Sequence, residues 1–213
     1  MAKLTEALQE AATVALEDER GFASASGGVL TKLKRGLAEV KKSPEMLAEV
    51  PPDLEFWPFL LRVAEKASFA KQVWEASVVL LARPEWAASF AQQEQKQRLN
   101  LCKAGPRDVA VVTELVKKLL AGGVEAGDLL ALEDVSGMDP ALCGALLEPF
   151  EAAGAEAELL ASLAQRSASE AEAKRRIVAP ESKAAVGKDA NLPVYVCEGI
   201  SGSHQKMEIK KGL

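Results

Sequence analysis

Few residues of this chain have types and spacing that could do chemistry. His204 is the only histidine, which excludes multi-histidine metal sites and proton relays between histidines; set among Ser201, Gly202 and Ser203, it reads as a solvated loop residue. The run Gly199-Ile200-Ser201-Gly202-Ser203 lacks the G-x-S-x-G order and the strand-to-helix setting of a nucleophile elbow. Cys102, Cys143 and Cys197 are odd in number and too far apart for a C-x-x-C pair, so they point to a reduced setting without a disulfide framework. Cys102 follows Leu101 and Cys143 lies among Ala and Leu, the surroundings of small core residues. The placing of Cys197 depends on the segment that carries it.

Glu133, Asp134 and Asp139 are close enough in sequence to suggest a cation loop. They lack the alternating oxygen ligands and closing glutamate that calcium requires, so capping and solvation explain them. No G-x-x-x-x-G-K-[ST] occurs, and Gly122-Gly123 follows a helical pattern instead of opening one, so phosphate cradling is unsupported. The sequence therefore predicts a protein that is not an enzyme, with no catalytic residue, no metal ligand and no cofactor.

Binding residues stand out more clearly. Lys174, Arg175 and Arg176 form a basic cluster at a helix end, where interaction with the helix dipole is the plain reading and contact with an acidic partner the functional one. Val194-Tyr195-Val196-Cys197 is the strongest strand signal in the chain, and Met207 and Ile209 alternate with Lys206, Glu208 and Lys210. Turn residues between them predict a β-hairpin over 194–210. A two-stranded hairpin is marginal in water and this one is apolar on both faces of its first strand, so it must pack on the body or on another chain. Val194, Tyr195, Val196, Met207 and Ile209, with Lys174, Arg175 and Arg176, are the candidate partner-binding residues.

The elements that must carry these residues follow from composition. The 213 residues include 37 Ala and 28 Leu but only 3 Ile, 4 Thr and 1 Tyr, which favours helix and starves sheet. With 48% hydrophobic and 27% charged residues, the chain can build a core and keep a solvated surface. Every Ile, the Tyr and the His fall after position 176. Residues 174–213 carry eight basic and four acidic residues, a net +4, leaving −9 of the −5 total on the remainder. The chain reads as an α-helical body over 1–176 and an extended basic tail over 177–213. The expected fold is all-α, an irregular multi-helix bundle, with a degenerate helical repeat as the alternative.

Apolar periodicity places helices over Leu4–Glu19 and Val29–Lys42, with Ser24–Gly28 as a loop between them. Ser43-Pro44 starts a short turn and Pro51-Pro52 a firm break. A long helical region opens at Trp57-Pro58 and runs to Leu81, with Ser68 as the point of a bend. Pro84 opens a helix that ends near Cys102. Further helices are expected over 109–121, 126–135, 140–153 and 155–176, with Asp139 as an N-cap. Seven of the nine Phe and Trp residues lie between Phe56 and Phe90; they read as the core nucleus, and Trp57 and Trp86 are weighed also as exposed residues in a partner groove.

No stretch is apolar enough to span a membrane, the acids near the N-terminus argue against a signal or transit peptide, and the net charge of −5 disfavours nucleic acid as a partner. These features predict an intracellular, soluble protein of the cytoplasm or an organelle interior. The functional expectation is a non-catalytic protein–protein interaction module, an accessory or assembly subunit of a larger complex that docks through its C-terminal tail. The alternative is an enzyme or small-ligand binder using an inter-helical pocket lined by the Trp57–Phe90 aromatics. A third reading docks a partner's amphipathic helix in a surface groove.

Overall fold

A computed structural model describes residues 2–178 apart from position 95, with side chains over 3–169, positions 95 and 97 excepted. Nine α-helices are described: α1 Ala2–Ala15, α2 Glu19–Val40, α3 Trp57–Ala64, α4 Ala67–Leu80, α5 Pro84–Ala91, α6 Val109–Ala121, α7 Ala126–Leu129, α8 Pro140–Ala152 and α9 Ala157–Val178. Short 3-10 turns at Pro44–Glu49, Lys96–Leu99, Leu101–Lys103 and Leu132–Gly137 link them. No strand occurs among the described residues, and this part of the chain is an all-α helical bundle. The expected hairpin over 194–210 lies outside the described residues.

The first helical pair departs from expectation. The segment Ser24–Gly28, read as a loop, lies inside the continuous helix α2, and α1 ends at Ala15. The cause is a stripe that the glycines hid: Phe22, Ser26, Val29, Leu33, Gly36 and Val40 are all buried at spacings of four and three residues, an unbroken inward face. Asp18 caps α2 by accepting from the Gly21 amide at 2.7 Å. At Gly36 the absent side chain allows a close approach, because a Cβ there would lie only 3.0 Å from both Cα and Cβ of Leu4; α1 therefore sits directly on α2. Arg62 of α3 locks the turn between them, donating to the carbonyls of Ala15 at 3.1 Å and Glu17 at 2.8 Å while its guanidinium lies 4.0 Å over the Phe22 ring.

The long helical region from Trp57 is interrupted at Glu65 and Lys66, ahead of the bend expected at Ser68. The Asn100 side chain donates to the Ala64 carbonyl, satisfying an acceptor that the end of α3 leaves open. Asn100 itself takes the left-handed conformation, φ 53°, which asparagine tolerates. The following helix also stops earlier than expected, at Ala91 instead of near Cys102. Leu99 and Leu101 are both buried, a spacing of two that an α-helix cannot place on one face, so the chain there folds as 3-10 turns. The expected helix over 126–135 is likewise a single α-turn, α7, followed by a 3-10 turn.

Other boundaries follow expectation. α3 begins at Trp57 with Pro58 in its first turn, and Asp139 caps α8 by accepting from the amides of Ala141 at 2.9 Å and Leu142 at 3.4 Å. α6 ends in paired reverse bonds, Gly123 N–H to Leu120 O at 3.0 Å and Val124 N–H to Leu119 O at 3.1 Å, with Gly123 at φ +88°.

One continuous core runs from Leu4 to Leu163. α1 packs on α2 and α3, α4 touches α2, α3 and α6, and α6 continues to α8. Its centre is aromatic: Phe56 meets Trp86 edge-on at 5.1 Å and Trp57 meets Phe90 edge-on at 4.9 Å. All three indoles spend their N–H on main-chain carbonyls, Trp57 on Trp86 at 2.8 Å, Trp74 on Leu99 at 2.7 Å and Trp86 on Pro52 at 3.1 Å. Each indole thus fills space and also ties another segment to the core, which satisfies a polar group that burial would otherwise penalise.

Candidate functional site

The residues singled out for partner binding fall at the edge of the description or beyond it. Lys174, Arg175 and Arg176 lie on the last turns of α9, with side chains outside the described set. Val194, Tyr195, Val196, Met207 and Ile209, together with Cys197 and His204, lie outside the described residues.

The aromatics are placed firmly. Phe56, Trp57, Phe59, Trp86 and Phe90 are fully buried and Trp74 nearly so, so Trp57 and Trp86 are not exposed in a partner groove. The idea of a pocket lined by these rings meets the same obstacle: they pack on one another and on the leucines around them, and five clefts among the described residues are lined by other residues.

Cys143 is buried on α8 and Cys102 half-buried in the 3-10 turn Leu101–Lys103. Burial pushes both thiols above the ordinary cysteine value, Cys102 with help from the nearby Asp134 carboxylate; such a thiol resists forming the nucleophilic thiolate. Asp139 is occupied as a cap, and Glu133 and Asp134 stand in the first turn of the 3-10 segment Leu132–Gly137. Among the described residues, no three His, Cys, Asp or Glu side chains converge to hold a metal ion, and no helix is long and apolar enough to cross a membrane.

Ion pairs tie the elements at the surface. Lys71 of α4 reaches Asp108 at 2.5 Å, Lys32 of α2 reaches Glu10 of α1 at 2.6 Å, and Lys96 pairs with Asp128 and Arg98 with Glu65. The Lys71 hydrogen bond holds the Asp108 carboxyl below the usual aspartate range, and the same bond raises the Lys71 ammonium.

The exposed side of α2 is the feature that sequence reasoning passed over. Between α2 and α4 runs a cleft of about 120 Å³. Leu30, Leu33, Leu37 and Ala76 form its apolar floor, Lys34, Ala38 and Lys41 its α2 rim, and Gln72 and Glu75 its α4 wall. Lys34 and Lys41 are exposed, and among the described residues neither has an ion-pair partner. Residues 32–42 hold five cations against the single acid Glu39, in a body that is acidic as a whole. That local reversal of sign was the available signal; the apolar floor was not, because it needs the pairing of α2 with α4.

Comparison with known proteins supplies no relative: no family model, no curated protein and no solved structure matches the chain.

Proposed function

We propose that the chain is a non-catalytic protein-interaction subunit, an accessory or assembly component of a larger complex, in which the helical bundle is a rigid carrier and residues 177–213 make the principal contact. The observation that carries this reading is the closure of the core: buried apolar residues run from Leu4 to Leu163 as one cluster within the compact unit Met1–Ile177. The bundle thus has its own interior, while the last 37 residues hold every isoleucine, the tyrosine and an apolar Val194–Cys197 run that needs cover. Val194, Tyr195, Val196, Met207 and Ile209 supply the apolar contact, and Lys174, Arg175 and Arg176 add complementarity to an acidic partner face. The odd, widely spaced set Cys102, Cys143 and Cys197 favours an intracellular, reducing compartment for this role.

The test is deletion of residues 177–213, with the intact and shortened chains compared by affinity capture from the same extract and quantified by mass spectrometry. The shortened chain keeps its helical circular dichroism and cooperative melting, and loses most of the partner that the intact chain retains. Equal capture by both chains overturns the reading.

A further inference from the structure

The geometry points to the cleft between α2 and α4 as a docking site for one amphipathic helix of a protein partner, acidic along the flank that faces α2. This surface is lined by residues of α2, its C-cap and α4.

Three observations select that occupant. The cleft is concave and apolar at its base, with Leu30, Leu33 and Leu37 as floor, and its volume of about 120 Å³ is roughly four times a water's share of the liquid, room for one branched aliphatic or methionine side chain. Its walls are helices, whose backbone groups bond internally and leave no edge for an added strand, so the ligand that presents side chains at matching intervals is a helix. Lys34 on α2 and Lys41 at its C-cap, still in right-handed helical conformation, stand seven residues apart with Ala38 between them, two turns or about 10.5 Å along the axis. Carboxylates at i and i+7 of an opposing helix meet both ammoniums, and an aliphatic residue at i+3 or i+4 then falls over Ala38 and the floor. Half-buried Glu75 on the far wall repels acid on the other flank, which gives the ligand a defined orientation.

The side chains of this face decide against the neighbouring possibilities. An anionic membrane would meet the same lysines, but insertion needs protruding apolar side chains, and the large exposed hydrophobics among the described residues, Leu16 and Leu132, are not on this face. Nucleic acid would use stacking rings, and the cleft has none.

The probe is a displayed library of 16-residue helical peptides, selected against the full chain and counter-selected against the full chain carrying Lys34→Glu and Lys41→Glu. The expected binders carry acids seven apart bracketing Leu, Ile or Met. Their affinity falls about tenfold against the double variant, by loss of attraction and gain of repulsion, and falls comparably against Ala38→Trp, which covers the cleft without changing charge. Replacing the two peptide acids by lysine restores binding to the double variant within about threefold. Binders indifferent to these substitutions, or no enrichment, overturn the proposal. So does binding of the full chain to phosphatidylserine vesicles or to an RNA oligonucleotide that is lost with Lys34→Glu and Lys41→Glu. Circular dichroism of each variant controls for folding, and rescue by the charge-swapped peptide is a result that a misfolded variant cannot give.

Discussion

Helices α2 and α9 are each 22 residues long, and they are helical for opposite reasons. α2 contains four glycines, at 21, 27, 28 and 36, each costing about 1 kcal/mol relative to alanine in a helix interior. It nonetheless runs unbroken, because buried side chains recur from Phe22 to Val40. α9 has six alanines and no glycine; its described anchors, Leu159, Leu163 and the Arg166 bond to the Met138 carbonyl at 3.0 Å, lie in its first half. Tertiary packing holds the first helix against its glycines, and alanine-rich composition favours helix along the second. A helix defined by packing is part of the cooperative core, whereas a helix extended by propensity can melt locally.

Proline substitution breaks the comparison most sharply. Gly28→Pro in α2 should cost about 3 kcal/mol or more and lower the melting temperature of the whole bundle in calorimetry. Ala171→Pro in α9 should remove helical signal and amide protection from the end of that helix while leaving the global transition within about 0.5 kcal/mol of the parent; equal losses would erase the distinction. Alanine substitution sharpens it within α2 alone. A Cβ at Gly27 or Gly28 meets nothing within 4 Å, so Gly27→Ala and Gly28→Ala should each raise stability by about 0.5–1 kcal/mol in urea titrations. Gly36→Ala should lower it by about 1 kcal/mol, because Leu4 must move. The smallest effect is electrostatic. Asp108 is lowered and Lys71 raised by their shared bond, so this pair stabilises above the ordinary aspartate value near about 4 and below the ordinary lysine value near about 10.4. Its contribution disappears as pH falls through the lowered Asp108 value or rises through the raised Lys71 value. Lys71→Met should flatten both limbs of a stability–pH curve, and a curve unchanged by that substitution would show the pair to be inert.

What the sequence showed depended on where its signals were local. Pro58 and Asp139 announced helix starts because proline and aspartate act within one turn, and Gly123 announced an end for the same reason. Ser24–Gly28 was misread because local composition argued for a loop while the deciding stripe, Phe22 to Val40, spans the whole helix. The break at Glu65 and Lys66 depends on Asn100, 36 residues from Ala64, and no periodicity within 57–81 records it. The burial of Trp57 and Trp86 was the plainer of two readings. The α2–α4 cleft was half legible: the cations of residues 32–42 were visible, but their apolar floor exists only once Ala76 is brought beside Leu37.

The disposition of the indoles makes the molecule its own reporter. Trp57, Trp74 and Trp86 are all the tryptophans in the chain, each sealed from water and bonded to a main-chain carbonyl. Native emission is therefore blue-shifted and insensitive to aqueous quenchers such as iodide. A red shift during a titration signals loss of the interior, so ligand engagement at the lysine-rimmed cleft must be followed with a dye on the ligand.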